Sequence, residues 1–212
     1  MTAVSSVAQS ERHALADLLD RLGPDEPTLC EGWTTQDLAA HLVARERSVR
    51  AGPGILVPAL QSWADASMAS QLRKHGFAGL VKRIRSGPPA ALRPLDSQIN
   101  TLEFIVHHED VRRAQPDWQP RTGEGIDVVA DAAWRTVQRS APLWRRRLKG
   151  AAVRVEAPGR SPIEVGEGPV AVLSGDPIEL ALFLTGRKSA SRATLSGDAG
   201  AVDIVAGARL GL

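Results

Sequence analysis

A single cysteine, Cys30, stands in the chain of 212 residues. That scarcity excludes an internal disulfide and any thiolate-rich metal site, so a metal bound by this chain would be held by histidines and carboxylates. Tyrosine is missing altogether, and the five tryptophans are scattered along the sequence instead of forming a stacking platform for bases. Long apolar runs are missing too. None approaches the length of a membrane span, and Met1–Gln9 has no basic stretch followed by an apolar core, as a secretion signal would. The expected location is therefore cytoplasmic, with no membrane partner. Neither repeats nor low-complexity segments occur.

What is present is ordinary for a globular protein: 43% hydrophobic and 24% charged residues, in a length that suits one large or two small domains. The balance is mildly basic, with a net charge of +2 and a pI near 9.1. Arginines cluster at Arg145-Arg146-Arg147, followed by Lys149, and at Arg112-Arg113. These suit helix C-termini, where cations meet the dipole favourably. No long basic stripe and no recognition-helix module is visible, which argues against nucleic acid as a partner.

Glycine and proline punctuate the first part into helices. One runs over about Val4–Leu22 with Ala14, Leu15, Leu18, Leu19 and Leu22 at bundle spacing, and Gly23-Pro24 ends it. His13 on this helix reads as solvent-facing or structural. Thr34, with Asp37 three residues later, marks the start of a second helix reaching about Arg50. It presents Leu38, Leu42 and Val49 inward, with His41 at the border of that stripe. After Gly52-Pro53-Gly54 comes a less regular stretch with Trp63 and Met68, then a helix over about Gln71–Arg85. His75 on it reads as surface. Gly87-Pro88-Pro89 precedes a central helix, Pro94–Ala114, and a further helix spans Glu124–Leu148, with Pro142 able to bend it.

Past Gly150 the periodicity shortens. Val153–Glu156 and Ile163–Val165 alternate as a hairpin around Pro158-Gly159, and Val170–Leu173 reads as a strand. Asp176–Leu184 is helical with Pro177 in its first turn, and Ala193–Ser196 then Ala199–Ala208 read as strand and helix. The expected organisation is mainly α: an antiparallel helical bundle over residues 1–150, then a small α/β domain over residues 151–212 that is marginal alone.

The central helix holds the unusual feature. At roughly 100° per residue, Leu95, Ile99, Leu102 and Val106 form one flank of its core-facing arc and Phe104 and Val111 the other. Between the flanks lie Glu103, His107 and Asp110, where apolar residues are expected. Ile105, Glu109, Arg112 and Arg113 take the opposite face, with His108 at its edge. Glu103 and His107, at i and i+4, have the spacing of two ligands gripping one cation, or of a simple ion pair. Metal binding needs a third ligand, and His41 is the candidate if the second and central helices meet. Two imidazoles and a carboxylate leaving one position open are the ligand set of a hydrolytic or thiol-activating zinc site. A hydrogen-bonded core histidine is the alternative role for His41.

Two stretches, Thr28-Leu29-Cys30-Glu31-Gly32-Trp33-Thr34 with Leu38-Ala39-Ala40-His41-Leu42, and Glu103–Arg113, resemble the DinB-like superfamily. Within it they are most similar to the actinobacterial branch of mycothiol-dependent maleylpyruvate isomerase and related metal-binding proteins. Gly175-Asp176-Pro177 and Leu184-Thr185-Gly186-Arg187 resemble that branch's C-terminal domain. The resemblance implies a DinB-like antiparallel four-helix bundle holding one divalent ion through His41, Glu103 and His107. Zinc is first choice, with nickel, iron or manganese admissible, and Asp110 orients a ligand imidazole. It also implies mycothiol as cosubstrate, an unknown small substrate, and Arg187 as a substrate-binding residue. The function implied is a mycothiol-dependent transferase or isomerase whose metal activates the thiol. The alternative is a non-catalytic metal-binding or stress-related protein, and a homodimer is one assembly open to either. Cys30 precedes the capped helix, apart from the ligands, so the thiol would come from outside. The isomerase has a larger C-terminal domain than this chain, so maleylpyruvate itself does not carry over.

Overall fold

The computed structural model describes residues 6–47 and 61–208. Val4, Val49, Arg50 and the Gly52-Pro53-Gly54 break lie outside the described residues. The chain divides into two compact units, Met1–Pro120 and Arg121–Leu212. That division differs from the boundary expected near residue 150. The helix before the sheet packs on elements that follow it, and so belongs with the C-terminal unit.

Among the described residues, four helices make the first unit: α1 (Val7–Leu22), α2 (Thr35–Arg47), α3 (Gln61–Ser86) and α4 (Asp96–Arg113). A 3-10 turn, Ala90–Leu95, leads into α4. The ends of α1 and the start of α2 have local causes. Ser6 caps α1, its hydroxyl accepting from the Gln9 N–H, and Gly23 closes it with φ 86°, a left-handed conformation that glycine adopts without strain. Thr34 precedes α2, where Asp37 accepts from both the Thr34 N–H at 3.0 Å and its hydroxyl at 2.8 Å. The Thr35 hydroxyl donates to the Gly23 carbonyl at 2.6 Å, tying the end of α1 to the start of α2. Helix α3 begins earlier than the sequence pattern indicates and takes in Trp63 and Met68. It is interrupted at Gly76, whose φ of 61° and ψ of 174° break the helical path beside His75.

Helix α1 packs on α3 and α4, and α2 packs on α3. Leu15, Leu19, Leu38, Leu42, Leu80, Ile84, Phe104 and Val111 are almost wholly buried in the shared core. Each such side chain contributes about 1.5–3 kcal/mol by leaving water. The phase of α4 departs from expectation. Leu95 and Ile99, placed inward by periodicity, are 44% and 51% exposed, whereas Ile105, His108, Glu109 and Arg113, assigned to the outer side, are buried. The later half of α4 is enclosed nearly all round, because its outer charges find partners inside the protein. Glu109 accepts from Arg112 and Arg113, both at 2.7 Å, and His108 Nδ1 meets Glu11 at 3.0 Å.

In the second unit, α5 (Ile126–Trp144) packs on α6 (Pro177–Leu184) and on β2. It buries Val129, Trp134, Val137 and Trp144, while Val128 and Leu143 are exposed. The sheet has the order β2-β1-β3-β4, with β1 Ala152–Glu156, β2 Ile163–Gly166, β3 Val170–Ser174 and β4 Thr194–Gly197. β1 and β2 form the expected hairpin, pairing Val153 with Val165 and Arg154 with Glu164. β3 runs parallel to β1 and antiparallel to β4, and α7 (Ala199–Gly207) packs on β3 and β4. The two units thus hold a helical fold and a small α/β fold.

Candidate metal centre

The turn that precedes α2 is bound to α4. Thr28 and Trp33 close it, with the Thr28 N–H and hydroxyl both donating to the Trp33 carbonyl, and the Leu29 N–H donates to the Asp110 carbonyl at 3.0 Å. Gly32 takes a φ of 76°, which the reversal requires. This arrangement sets the Trp33 ring against His41, with centroids 5.1 Å apart, and sets His41 edge-on to His107 at 5.3 Å.

His41 Nε2 lies 3.5 Å from Glu103 Oε1, and His107 Nε2 lies 3.3 Å from the same oxygen. The second helix and the central helix therefore do meet here, and the three side chains bring donor atoms within 4.8 Å of one another. Two imidazole nitrogens and one carboxylate converging on a point form a donor set that suits a divalent cation. On its other side, His107 Nδ1 is 2.8 Å from Asp110 Oδ2. Asp110 is fully buried, and its carboxylate accepts from the Nδ1 side of the ring, which leaves Nε2 facing the cluster.

Electrostatics follow from these contacts. Burial penalises the charge on Glu103, but hydrogen bonds from His107 and His41, with Arg45 nearby, outweigh it and hold the carboxyl well below its ordinary range. Burial also works against a charged His107, yet Asp110, Cys30 and Glu103 together raise it well above the usual histidine value. Glu103 is the acid bonded to His41 among the described residues, and burial outweighs it and lowers the ring's pKa. With no cation bound, the cluster is thus a carboxylate held by an imidazolium.

Two residues at the cluster escape the sequence reading. Arg45, one turn beyond His41 on α2, places Nε 3.3 Å from Glu103 Oε1, and its i+4 spacing from His41 was the available signal. Cys30, expected apart from the ligands, stands beside them. Its thiol donates to Asp110 Oδ2 at 3.3 Å and it also bonds with His107, making a second group of Cys30, His107 and Asp110. The turn bound to α4 brings it there, and nothing in the local pattern discloses that. His108 points away, to Glu11. Arg187 lies in the second unit, where its Nη1 donates to the Thr185 carbonyl at 2.8 Å.

Arg45 also links the cluster to a buried polar network. Its Nη1 donates to Asn100 Oδ1, and Asn100 Nδ2 donates to Asp96 at 2.7 Å and to Glu46 at 3.1 Å. Those two carboxylates hold Arg12, bidentate from Glu46 at 2.6 and 2.9 Å and from Asp96 at 2.8 Å. The Arg12 guanidinium lies over the Phe104 ring at 4.0 Å.

The chain thus has a helical unit, which carries this cluster, and a small sheet unit after it. Residues 8–97 match the family model of the mycothiol maleylpyruvate isomerase N-terminal domain. The crystal structure of the mycothiol-dependent maleylpyruvate isomerase aligns with a TM-score of 0.55 at 18% identity, covering 90% of each chain. No curated protein matches in sequence. The family match thus covers the N-terminal part of the chain, and the structural match shows a shared fold. The matched residues include His41 and end before Glu103 and His107.

Proposed function

We propose that the chain holds one divalent cation, zinc by first choice, on His41, Glu103 and His107, and that it acts as an isomerase or transferase using mycothiol as cosubstrate. The observation that carries this reading is the convergence of three donor atoms from two helices, within 4.8 Å of one another, in an otherwise well-packed unit. The mycothiol dependence of the structurally similar isomerase supports the choice of thiol. A divalent ion in such a site lowers the pKa of a coordinated thiol and so supplies a nucleophile at neutral pH. The residues of this chain prepare that site. Asp110 fixes the His107 tautomer, and Arg45 restrains the Glu103 carboxylate at the oxygen that the imidazoles also meet. Trp33 stands tilted against the His41 ring. Arg187 is proposed to hold an anionic group of the thiol or of its acceptor.

The test is a titration of metal-loaded protein and of the His41→Ala variant with mycothiol. Binding to the first that is lost in the second supports the reading. Equal affinity in both, or no binding to either at millimolar thiol, removes the thiol-transfer reading and leaves a metal-binding protein whose ligand is something else. Arg187→Ala is expected to weaken mycothiol binding while leaving metal content unchanged, as followed by the same titration and by elemental analysis.

A further inference from the structure

A cavity of about 370 Å³ opens where the start of α1, the end of α3 and the start of α4 come together. Its wall includes Gln9, Arg12, Arg85, Arg93, Asp96 and Ser97. It belongs wholly to the helical unit, and none of the candidate metal ligands lines it. The volume is that of a site for a small molecule, not for a macromolecular surface.

The charges on the wall are unevenly satisfied. Asp96 is committed to Arg12 and Asn100, and Arg85 to Asp17 and Asp20. Arg12 is 1% exposed and spends both terminal nitrogens on Glu46, Asp96 and the Ile84 carbonyl, yet its Nε is buried with no hydrogen-bond partner. That Nε faces Gly87, also on the wall, where an added Cβ would stand 3.9 Å away. Arg93 is exposed to the cavity and has no protein partner among the described residues. Behind the wall Arg47 donates to the Ser86 hydroxyl and the Gly87 carbonyl. Its guanidinium is pushed below the ordinary arginine value, by burial first and then by Arg83, with Arg12 and Arg93 adding to the crowding. The nearby acids Glu46, Asp96, Asp17 and Asp20 are all engaged, so the surplus facing the cavity is cationic.

We propose that this cavity binds a small dianion, a phosphate ester or a dicarboxylate, with Arg93 as its principal contact. Such a group offers several acceptor oxygens to a guanidinium fork and to the Gln9 and Ser97 side chains, and its charge relieves the crowding of the arginines. Among the described residues no aromatic side chain lines the cavity, and none is offered there for stacking on a base.

The experiment is calorimetric titration of the full chain, chelator-treated to remove any cation, with inorganic phosphate and separately with succinate at constant ionic strength. The expected result is saturable binding of one equivalent of at least one probe. Arg93→Gln or Ser97→Asp should weaken it about tenfold or more, which is about 1.4 kcal/mol. Both positions are exposed, and circular dichroism confirms that the variants fold. Phosphate alone saturating assigns the phosphate-ester class, and succinate alone the dicarboxylate class. The proposal is overturned if neither probe saturates by about 20 mM, a weak limit on the affinity scale, or if both variants bind as tightly as the parent. Because the protein is free of cation throughout, the outcome is independent of the proposed metal and thiol chemistry.

Discussion

His107 is the residue on which the site turns, since one ring nitrogen serves Asp110 and the other faces Glu103 and His41. Asp110→Asn keeps the shape and removes the charge that fixes the tautomer. It is expected to reduce metal affinity by about 10–100-fold, as replacing a partner of a ligating histidine commonly does, and competition with a chromogenic chelator measures it. The raised pKa of His107 has a definite sign. In metal-free protein it contributes stability below the ordinary value of 6.5 that is lost as pH rises through the raised folded value. A cation binds only the neutral ring, so it must displace that proton. Apparent affinity should therefore rise with pH through neutrality, with proton release seen as a buffer-dependent enthalpy. An affinity constant with pH would contradict the charged, metal-free imidazole. These residues were legible in the sequence because i,i+4 spacing and the interruption of an apolar arc are local facts. Cys30 was not, because its place depends on one backbone bond from Leu29 to Asp110, 81 positions on from Leu29 in a chain whose helices must first assemble.

At the scale of the element, α4 shows where pattern reading stops. Its boundaries and its inward trio could be read from spacing, but its enclosure could not, because charged residues look external unless their partners are known. Glu109 is 1% exposed and holds both Arg112 and Arg113, the latter lying over Trp118 at 4.6 Å. Glu109→Ala removes the carboxylate that holds the buried Arg113 guanidinium and is expected to cost about 3–5 kcal/mol, measured by urea unfolding with Glu109→Gln as a gentler comparison. A loss below about 1 kcal/mol, the value of an exposed pair, would show that the pair is solvated. Caps and breaks were more transparent. Gly23 and the Thr34–Asp37 pair act through adjacent backbone groups, and so were visible in sequence, whereas the Ser6 cap was passed over.

At the scale of the molecule, the helical and α/β textures were both recognisable, yet α5 fell on the wrong side of the division. A helix carries no sign of which unit it serves, and the tryptophans that settle it, Trp134 and Trp144, are buried within the C-terminal unit. No helix among the described residues is long and apolar enough to cross a membrane. The function proposed here rests on the helical unit, and on the claim that two histidines and a glutamate from α2 and α4 share one cation. Elemental analysis of tag-free protein tests it most directly, comparing the parent with His41→Ala, Glu103→Ala, His107→Ala and His108→Ala. The account predicts about one divalent ion per chain in the parent and in His108→Ala, and a sharp loss in the other three. Metal retained in His107→Ala and lost in His108→Ala, or none in the refolded and metal-supplemented parent, would contradict it.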